Sequence, residues 1–296
     1  MTPRPLVMGV VNVTPDSFSD GGEWLQPEAA VTHARLLVSQ GADLVDVGGE
    51  STRPGAERPS VEEELRRVLP VVSALATAGV TVSVDTMRAS VAAAALDAGA
   101  SIVNDVSGGL ADPDMVGLVA DRGVDYIAMH WRGHSADMQS RAVYDDVVAD
   151  VCSALVDRAA ALAAGGIAPE RVVLDPGFGF AKTAEHNWAL LRSLDLLVGL
   201  GHRLLVGTSR KTFLGRVGRA PGAERSPLDR DVVTAVTTAY AALAGVWCVR
   251  VHDVPTTVDA LDVAAALAGP TGPAGGSGSA GPIGPIGPAS PEEELR

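Results

Sequence analysis

The sequence has few aromatic residues, few cysteines and a shortage of positive charge, and each shortage excludes a class of protein. Aromatic residues make up 4% and apolar residues 47% of the chain, so a packed core must consist mainly of Val, Leu and Ala. The two cysteines, Cys152 and Cys248, lack metal-ligand or redox spacing, which is typical of small core residues in a reducing compartment. The formal net charge of −13 argues against nucleic acid or an anionic membrane surface as a partner.

Long apolar runs and export signals are also missing from the sequence. No uninterrupted apolar run reaches the ~20 residues that a membrane helix needs. The N-terminus lacks the basic region, apolar stretch and cleavage site of a signal peptide. We therefore expect a soluble, cytoplasmic protein.

What the chain does contain is a regular alternation of short apolar runs and longer helical patterns. The predicted strands are 6–13, 44–47, 80–84, 102–103, 126–129, 172–174, 203–206 and 246–251. The predicted helices are 27–40, 60–78, 89–98, 113–122, 147–164, 184–200, 229–244 and 255–267. Strand-then-helix units of about 30 residues, repeated eight times, indicate parallel strands in a closed (β/α)₈ TIM barrel. The alternative is an open doubly wound sheet, although no Gly-x-Gly-x-x-Gly follows the first strand.

The composition changes abruptly after residue 269. Gly, Pro, Ser and Ala dominate residues 270–291, and such a segment cannot bury enough apolar surface to become ordered. We expect one barrel domain over residues 1–269 and a disordered tail over 270–296 that takes no part in the chemistry.

The stretch 172–183, Val-Val-Leu-Asp-Pro-Gly-Phe-Gly-Phe-Ala-Lys-Thr, places a carboxylate at the end of a buried strand. Asp175 ends the strand, two glycines allow the backbone to approach another group closely, and Phe178 and Phe180 offer flat apolar faces. Taken alone, the motif is also typical of a turn in which Asp175 caps the following segment. The functional interpretation gains weight because other predicted strands end in polar residues too.

In a barrel of this type, the loops at the carboxyl ends of the strands build the active site. The polar residues expected there are Asn12, Thr52, Arg53, Asp85, Asn104, Asp175, Ser209, Lys211, Arg250 and His252. One subset offers the donors and acceptors that fit the edges of a flat heterocycle: Asp85, Asn104, Asp175 and Lys211. A second subset, Arg53, Arg250 and His252, suits an anion such as a diphosphate, and the amide oxygen of Asn12 can ligate Mg²⁺.

Each of these residues also has an ordinary structural interpretation. A single Asp or Asn at a strand end is often a turn or cap residue, and His130 fits a hydrogen-bonded residue of the barrel rim. The charged runs 62–64 and 225–231 are interpreted as solvated surface. The residues alone thus predict a TIM-barrel enzyme that binds a flat heterocycle and an anion.

Seven stretches of the chain carry a family resemblance. They are 8–22 (Met-Gly-Val-Val-Asn-Val-Thr-Pro-Asp-Ser-Phe-Ser-Asp-Gly-Gly), 48–55 (Gly-Gly-Glu-Ser-Thr-Arg-Pro-Gly), 84–86 (Val-Asp-Thr), 104–109 (Asn-Asp-Val-Ser-Gly-Gly), 175–180 (Asp-Pro-Gly-Phe-Gly-Phe), 209–211 (Ser-Arg-Lys) and 250–253 (Arg-Val-His-Asp). In this order they resemble the signatures of the dihydropteroate synthases over residues 6–267. The abundant Ala, Val and Arg resemble actinobacterial members.

The resemblance implies a TIM-barrel transferase of folate synthesis. Such an enzyme joins 6-hydroxymethyl-7,8-dihydropterin diphosphate to p-aminobenzoate, with Mg²⁺ at the diphosphate, and works as a homodimer through its outer helices. By motif, the pterin diphosphate site comprises Thr52, Arg53, Asp85, Asn104, Asp175, Lys211, Arg250, Val251 and His252. Catalytic roles are expected for Asp85, Asp175, Lys211, Arg250 and His252, and a metal-binding role for Asn12.

The p-aminobenzoate pocket, where sulfonamides compete, is expected to include Thr52, Pro54, Phe180, Ser209 and Thr212. The family often has serine where this chain has Thr212, and the added methyl can narrow that pocket.

Two alternatives remain at this stage: a pterin-binding paralogue without activity, and a methyltransferase that passes a methyl group from a tetrahydrofolate to a corrinoid. The second has no need for the stretches 49–55 and 209–211, while the first is consistent with every residue named.

Overall fold

The computed structural model describes residues 4–14, 27–50, 58–134, 138–220 and 222–269, and these form a closed barrel of eight parallel strands. The strands are β1 (Leu6–Asn12), β2 (Leu44–Gly48), β3 (Val82–Asp85), β4 (Ile102–Asp105), β5 (Asp125–Met129), β6 (Val172–Asp175), β7 (Arg203–Val206) and β8 (Cys248–Val251). Each strand pairs with the next along the chain, and β8 pairs with β1. The predicted barrel is confirmed, and the open sheet is excluded.

Helices surround the barrel in the order that the sequence pattern predicts. Over the described residues they are α1 (Pro27–Ser39), α2 (Val61–Thr77), α3 (Ala89–Asp97), α4 (Met115–Arg122), α5 (Val147–Ala164), α6 (Ala184–Arg192), α7 (Leu194–Val198), α8 (Asp231–Leu243) and α9 (Val254–Ala268). The single helix predicted for 184–200 is wrong, because Ser193 leaves the helical conformation and separates α6 from α7. This break allows both Leu194 and Leu197 to reach the core.

Two hydrophobic clusters occupy opposite faces of the strands. The larger cluster packs strands against helices, whereas the smaller one fills the barrel axis with Met8, Leu44, Ile102, Ile127, Val173, Leu205 and Cys248. Side chains alternate between the two faces of a strand. The residues two positions beyond the axial cluster therefore point to the axis as well, and they include Asp46, Asn104, Asp175 and Arg250. This periodicity directs polar side chains from β2, β4, β6 and β8 to one place.

The charged runs 62–64 and 225–231 were predicted to be solvated surface, but each contains one buried residue. The prediction is wrong for Glu64 and for Arg230. Glu64 is fully buried, accepts a hydrogen bond from Thr86 Oγ1 at 2.6 Å and is paired with Arg88. It lies on the same helical face as Val68, which packs on the barrel. Arg230 is also buried and donates to the Arg210 carbonyl at 2.9 Å.

Three sequence predictions fall outside the described residues. They concern the tail 270–296, residues 15–22 of the stretch 8–22 and residues 51–55 of the stretch 48–55, which include Thr52, Arg53 and Pro54. Among the helices that the structure does describe, none combines the length and apolarity needed to cross a membrane.

Candidate active site

A cavity of about 1130 Å³ opens at the carboxyl ends of the barrel strands. The predicted site residues in its wall are Asn12, Asp85, Asn104, Asp175, Phe180, Ser209, Lys211, Thr212, Arg250 and His252. Val251 is different, because its side chain is buried in the core between the barrel and the helices. Any contact of Val251 with a ligand is therefore left to its backbone.

The floor of the cavity is a hydrogen-bonded cluster that joins four strands. Arg250 donates from Nε to Asp46 Oδ2 at 2.7 Å and from Nη2 to Asp85 Oδ2 at 3.0 Å. Asn104 Nδ2 donates to the same Asp46 oxygen at 2.9 Å. These bonds use two of the five N–H groups of the guanidinium, so Arg250 can still donate to a ligand.

Lys211 and Phe180 form a stacked pair in the cavity wall. The Lys211 ammonium lies 4.0 Å from the centre of the Phe180 ring, within the range of a cation–π interaction. Gly179 makes this possible, because a Cβ at that position would stand 2.9 Å from Lys211 Cδ. Phe178 also lines the cavity, although almost all of its side chain is buried in the core.

The loops after β7 and β8 are joined by a direct contact between two predicted site residues. Ser209 Oγ lies 2.9 Å from His252 Nδ1 and accepts a hydrogen bond from the His252 amide at 3.1 Å. The next residue, Arg210, has a φ of 58° and is held by two 2.7 Å bonds to the Asp231 carboxylate. This anchored turn orients Ser209 and Lys211 towards the cavity.

The sequence that forms this site matches a known family. A family model described as pterin binding enzyme matches residues 8–252. The chain belongs to this family. The chain is 55% identical over 262 residues to the dihydropteroate synthase of Mycobacterium leprae. The aligned residues cover 88% of this chain and 92% of that protein. It is 44% identical to the dihydropteroate synthase of Escherichia coli K12, over 89% of this chain and 92% of that one.

Solved structures of pterin-binding enzymes share the fold of this chain. The dihydropteroate synthase of Xanthomonas albilineans with 4-aminobenzoic acid superimposes with a TM-score of 0.83 at 46% identity. The match covers 90% of this chain and 94% of the other. The enzyme of Yersinia pestis, in complex with a sulfonamide drug, gives a TM-score of 0.83 at 41% identity, over 90% of this chain and 96% of that one.

Burial shifts the pKa values of three residues in the cavity. Burial and the Asp46 carboxylate raise the pKa of Asp85 to about 8, while Arg250 acts in the opposite direction. Burial also raises the pKa of Asp175, against the effect of the Gly177 amide. Burial and the Arg250 charge lower the pKa of Lys211 to about 8. A ligand that donates N–H groups to the two carboxylates would favour their ionised forms.

The sequence reasoning missed several charged residues near the cavity, among them Asp46 and Lys182. Asp46 lies inside β2 rather than at its end, and the signal was a charged residue within the apolar run Leu-Val-Asp-Val-Gly. Lys182 lines the cavity and donates to the carbonyls of Gly177 and Phe180 at 3.0 and 3.1 Å. Its Nζ is also 3.1 Å from His130 Nδ1, which places His130 at the barrel rim as predicted.

Proposed function

We propose that this chain is a dihydropteroate synthase. It is a transferase that condenses 6-hydroxymethyl-7,8-dihydropterin diphosphate with p-aminobenzoate to give 7,8-dihydropteroate and diphosphate. The observation that carries the proposal is the presence, in one cavity, of groups for a heterocycle edge and cations for a diphosphate. The pterin-binding family and the dihydropteroate synthase relatives support the same reaction.

The pterin ring would be held by hydrogen bonds around its edge. Asp85 and Asp175 accept from ring and amino N–H groups, which a carboxylate can do for two neighbouring donors at once. Asn104 contributes an amide, and Lys211 donates to an acceptor of the ring. Thr52 borders the same site in this proposal.

The reaction breaks the bond between the pterin methylene carbon and a diphosphate oxygen, which keeps the electron pair. Arg250 and His252 lie where they can meet the charge that develops on the diphosphate, with Arg53 as a further expected contact. The carbon left behind is positively charged, and the ionised Asp85 and Asp175 stabilise it. The amine nitrogen of p-aminobenzoate then forms the new C–N bond and loses a proton. No side-chain nucleophile is needed.

Mg²⁺ is the metal that this chemistry implies, and Asn12 fits it. Asn12 lies in the cavity wall and provides an amide oxygen, a ligand type that Mg²⁺ accepts. Among the described residues, no group of three or more His, Cys, Asp or Glu side chains could hold a metal. In this proposal Asn12 would hold the ion together with diphosphate oxygens and water, and such a set is common for Mg²⁺. When bound, it would neutralise charge on the leaving diphosphate.

The p-aminobenzoate pocket is proposed next to the stacked pair of Lys211 and Phe180. Ser209 and Thr212 would border it, together with Thr52 and Pro54. Thr212 is exposed at the start of the short helical turn Thr212–Arg216 and lines the cavity. Its added methyl group would narrow the p-aminobenzoate pocket, where sulfonamides would compete.

The decisive test is a direct assay of the reaction. Purified protein is incubated with the pterin diphosphate, p-aminobenzoate and Mg²⁺, and dihydropteroate is measured by chromatography. Omission of either substrate and addition of a chelator serve as controls. No product under conditions in which the Escherichia coli enzyme is active would favour a pterin-binding paralogue without activity.

We expect Arg53→Ala to uncouple the binding of the two substrates. If the stretches 12–22 and 51–55 close over the diphosphate, they complete the p-aminobenzoate pocket only after the first ligand is bound. Diphosphate alone should then increase the affinity of the wild type for p-aminobenzoate, and the variant should lose this increase. Calorimetry with and without diphosphate measures the effect. Tight p-aminobenzoate binding to the ligand-free wild type would contradict ordered binding.

A homodimer is proposed through an apolar face of α8. Its exposed residues Val232, Val236, Tyr240 and Leu243 recur at helical spacing, with between 47% and 68% of each accessible to solvent. Residues 232–243 contain no charged side chain, so the face is suited to a second copy of itself. Val263 and Leu267 extend it on the neighbouring α9.

Val236→Glu is expected to give a monomer, because two buried carboxylates would face each other near the axis of a symmetric dimer. Sedimentation velocity at micromolar concentration measures the change in mass. Val156→Glu is the matched control, since Val156 is also exposed but lies on α5. A wild type that sediments as a monomer, or a Val236→Glu variant with unchanged mass, would contradict the proposed face.

A cytoplasmic location is also proposed. Both Cys152 and Cys248 are free thiols in the structure. Cys248 belongs to the apolar cluster at the barrel axis, where it acts as a small core residue. A reducing compartment suits this use of cysteine.

A further inference from the structure

Asp46 is a buried carboxylate whose hydrogen bonds all go to residues of the cavity wall. It is 0% exposed and lies below the cavity, on the axial face of β2. Its Oδ2 atom accepts from Asn104 Nδ2 and from Arg250 Nε. Its Oδ1 atom has no hydrogen-bond partner in the part of the chain that the structure describes.

This pattern does not fit a purely structural role. Removing a carboxylate from water is costly, and the cost is offset only by good partners. A carboxylate that stabilised the barrel would bond to the framework, as Asp105 does with Ser107 and with Tyr126 of the next strand. Asp46 instead leaves one oxygen unpaired and shares the other between two residues that face the cavity.

The contact with Asn104 determines which atom of its amide the ligand meets. Asn104 donates from Nδ2 to Asp46 Oδ2, so the nitrogen of its amide is turned towards Asp46. The Asn104 Oδ1 atom is then on the opposite side of the amide, and Asn104 lines the cavity. Asn104 thus presents an acceptor to the ligand and rejects a ring that offers an acceptor there.

We propose that Asp46 is a positioning residue that sets the substrate specificity of the pterin site. By holding Asn104 Nδ2 and Arg250 Nε on one oxygen, it selects heterocycles that donate a hydrogen bond to Asn104. It also keeps Arg250 beside Asp85. This inference rests on the proposed function, since it assigns a role towards the pterin substrate.

Asp46→Leu tests the proposal with little change in size. It removes the one oxygen that accepts from both Asn104 Nδ2 and Arg250 Nε. The Asn104 amide is then no longer held with its oxygen towards the ligand. We expect the KM for the pterin diphosphate to rise about 10- to 100-fold, while kcat and the KM for p-aminobenzoate change less than about threefold. A general weakening of the fold would not produce this split.

Ser83→Ala is the matched control. Ser83 pairs in register with Asp46 on the neighbouring strand β3, and its hydroxyl is also buried without a partner among the described residues. It contacts no cavity residue through a hydrogen bond in that part of the chain. We expect its KM values to equal those of the wild type, and a pterin KM raised as in Asp46→Leu would overturn the proposal.

Asp46→Asn is the conservative variant that separates the shared acceptor from the charge. An amide oxygen in the place of Oδ2 still accepts from Asn104 and from Arg250, and the NH₂ group takes the place of Oδ1. We expect its pterin KM to stay within about fivefold of the wild type. A wild-type pterin KM in Asp46→Leu would overturn the proposal. If Asp46→Leu does not fold, a pterin KM raised more than about tenfold in Asp46→Asn would overturn it.

Calorimetry with 6-hydroxymethylpterin separates this inference from the proposed reaction. The dissociation constants of the wild type and the three variants are measured without p-aminobenzoate. If the wild type forms no dihydropteroate, the proposed function fails, but the order of these constants still decides the role of Asp46. If the wild type is active and Asp46→Leu binds the pterin equally well, only the present inference fails.

Discussion

Replacing Arg250 with Met is expected to lower kcat at least about 100-fold and the free energy of unfolding by about 3 kcal/mol. The first effect follows because Arg250 is the described cation best placed to assist diphosphate departure. The second follows because Asp46 and Asp85 would lose their shared guanidinium, 2.7 and 3.0 Å away. This loss of stability is at the lower end of the range that is typical when one partner of a buried ion pair is removed. The reason is that Asp85 borders the cavity and can take up a proton. Steady-state kinetics and urea unfolding measure the two quantities.

Arg203→Met is the matched control for this result. Arg203 lies on the neighbouring strand β7 but at the opposite end of the barrel, where it pairs with Asp125 at 2.8 Å. Its side chain is 28% exposed and that of Asp125 20%, so the pair contributes about 1 kcal/mol at most. Its kcat should remain within about twofold of the wild type. Equal losses of stability in both variants would show that the buried cluster has no special role.

Asp175→Asn is expected to weaken pterin binding about 10- to 150-fold without loss of the fold. Asp175 Oδ1 accepts a hydrogen bond from the Gly177 amide at 2.7 Å. The substituted amide would use its oxygen for that bond, so its NH₂ group would face the cavity. A donor would then meet the N–H donors of the pterin ring. Calorimetry with 6-hydroxymethylpterin gives the change in dissociation constant.

Asp125→Asn makes the same chemical change at the other end of the barrel and serves as its control. Asp125 binds Arg171 and Arg203 and does not line the cavity. We expect its pterin dissociation constant to match that of the wild type. An unchanged dissociation constant in Asp175→Asn as well would remove Asp175 from the pterin site.

The architecture could be predicted from the sequence because it depends on local patterns. The predicted strand 203–206 coincides with β7, and the predicted helix 147–164 coincides with α5. Both could be predicted because the periodicity of a strand or a helix can be recognised in consecutive residues. The alternation of these units requires parallel strands and outer helices. The carboxyl ends of parallel strands lie at one end of a barrel, so Asp85, Asn104 and Asp175 could be assigned to one cavity before any contact was known.

The tertiary structure alone decided which charged residues are buried and which groups they meet. Asp46 and Arg250 are 204 positions apart, and only closure of the barrel brings them into contact. Glu64 and Arg230 are likewise buried within charged runs, because the surface that covers each comes from a distant part of the chain. Local sequence determines the period of a strand or helix, whereas the cost and the partners of a buried charge depend on contacts that the chain makes only when folded.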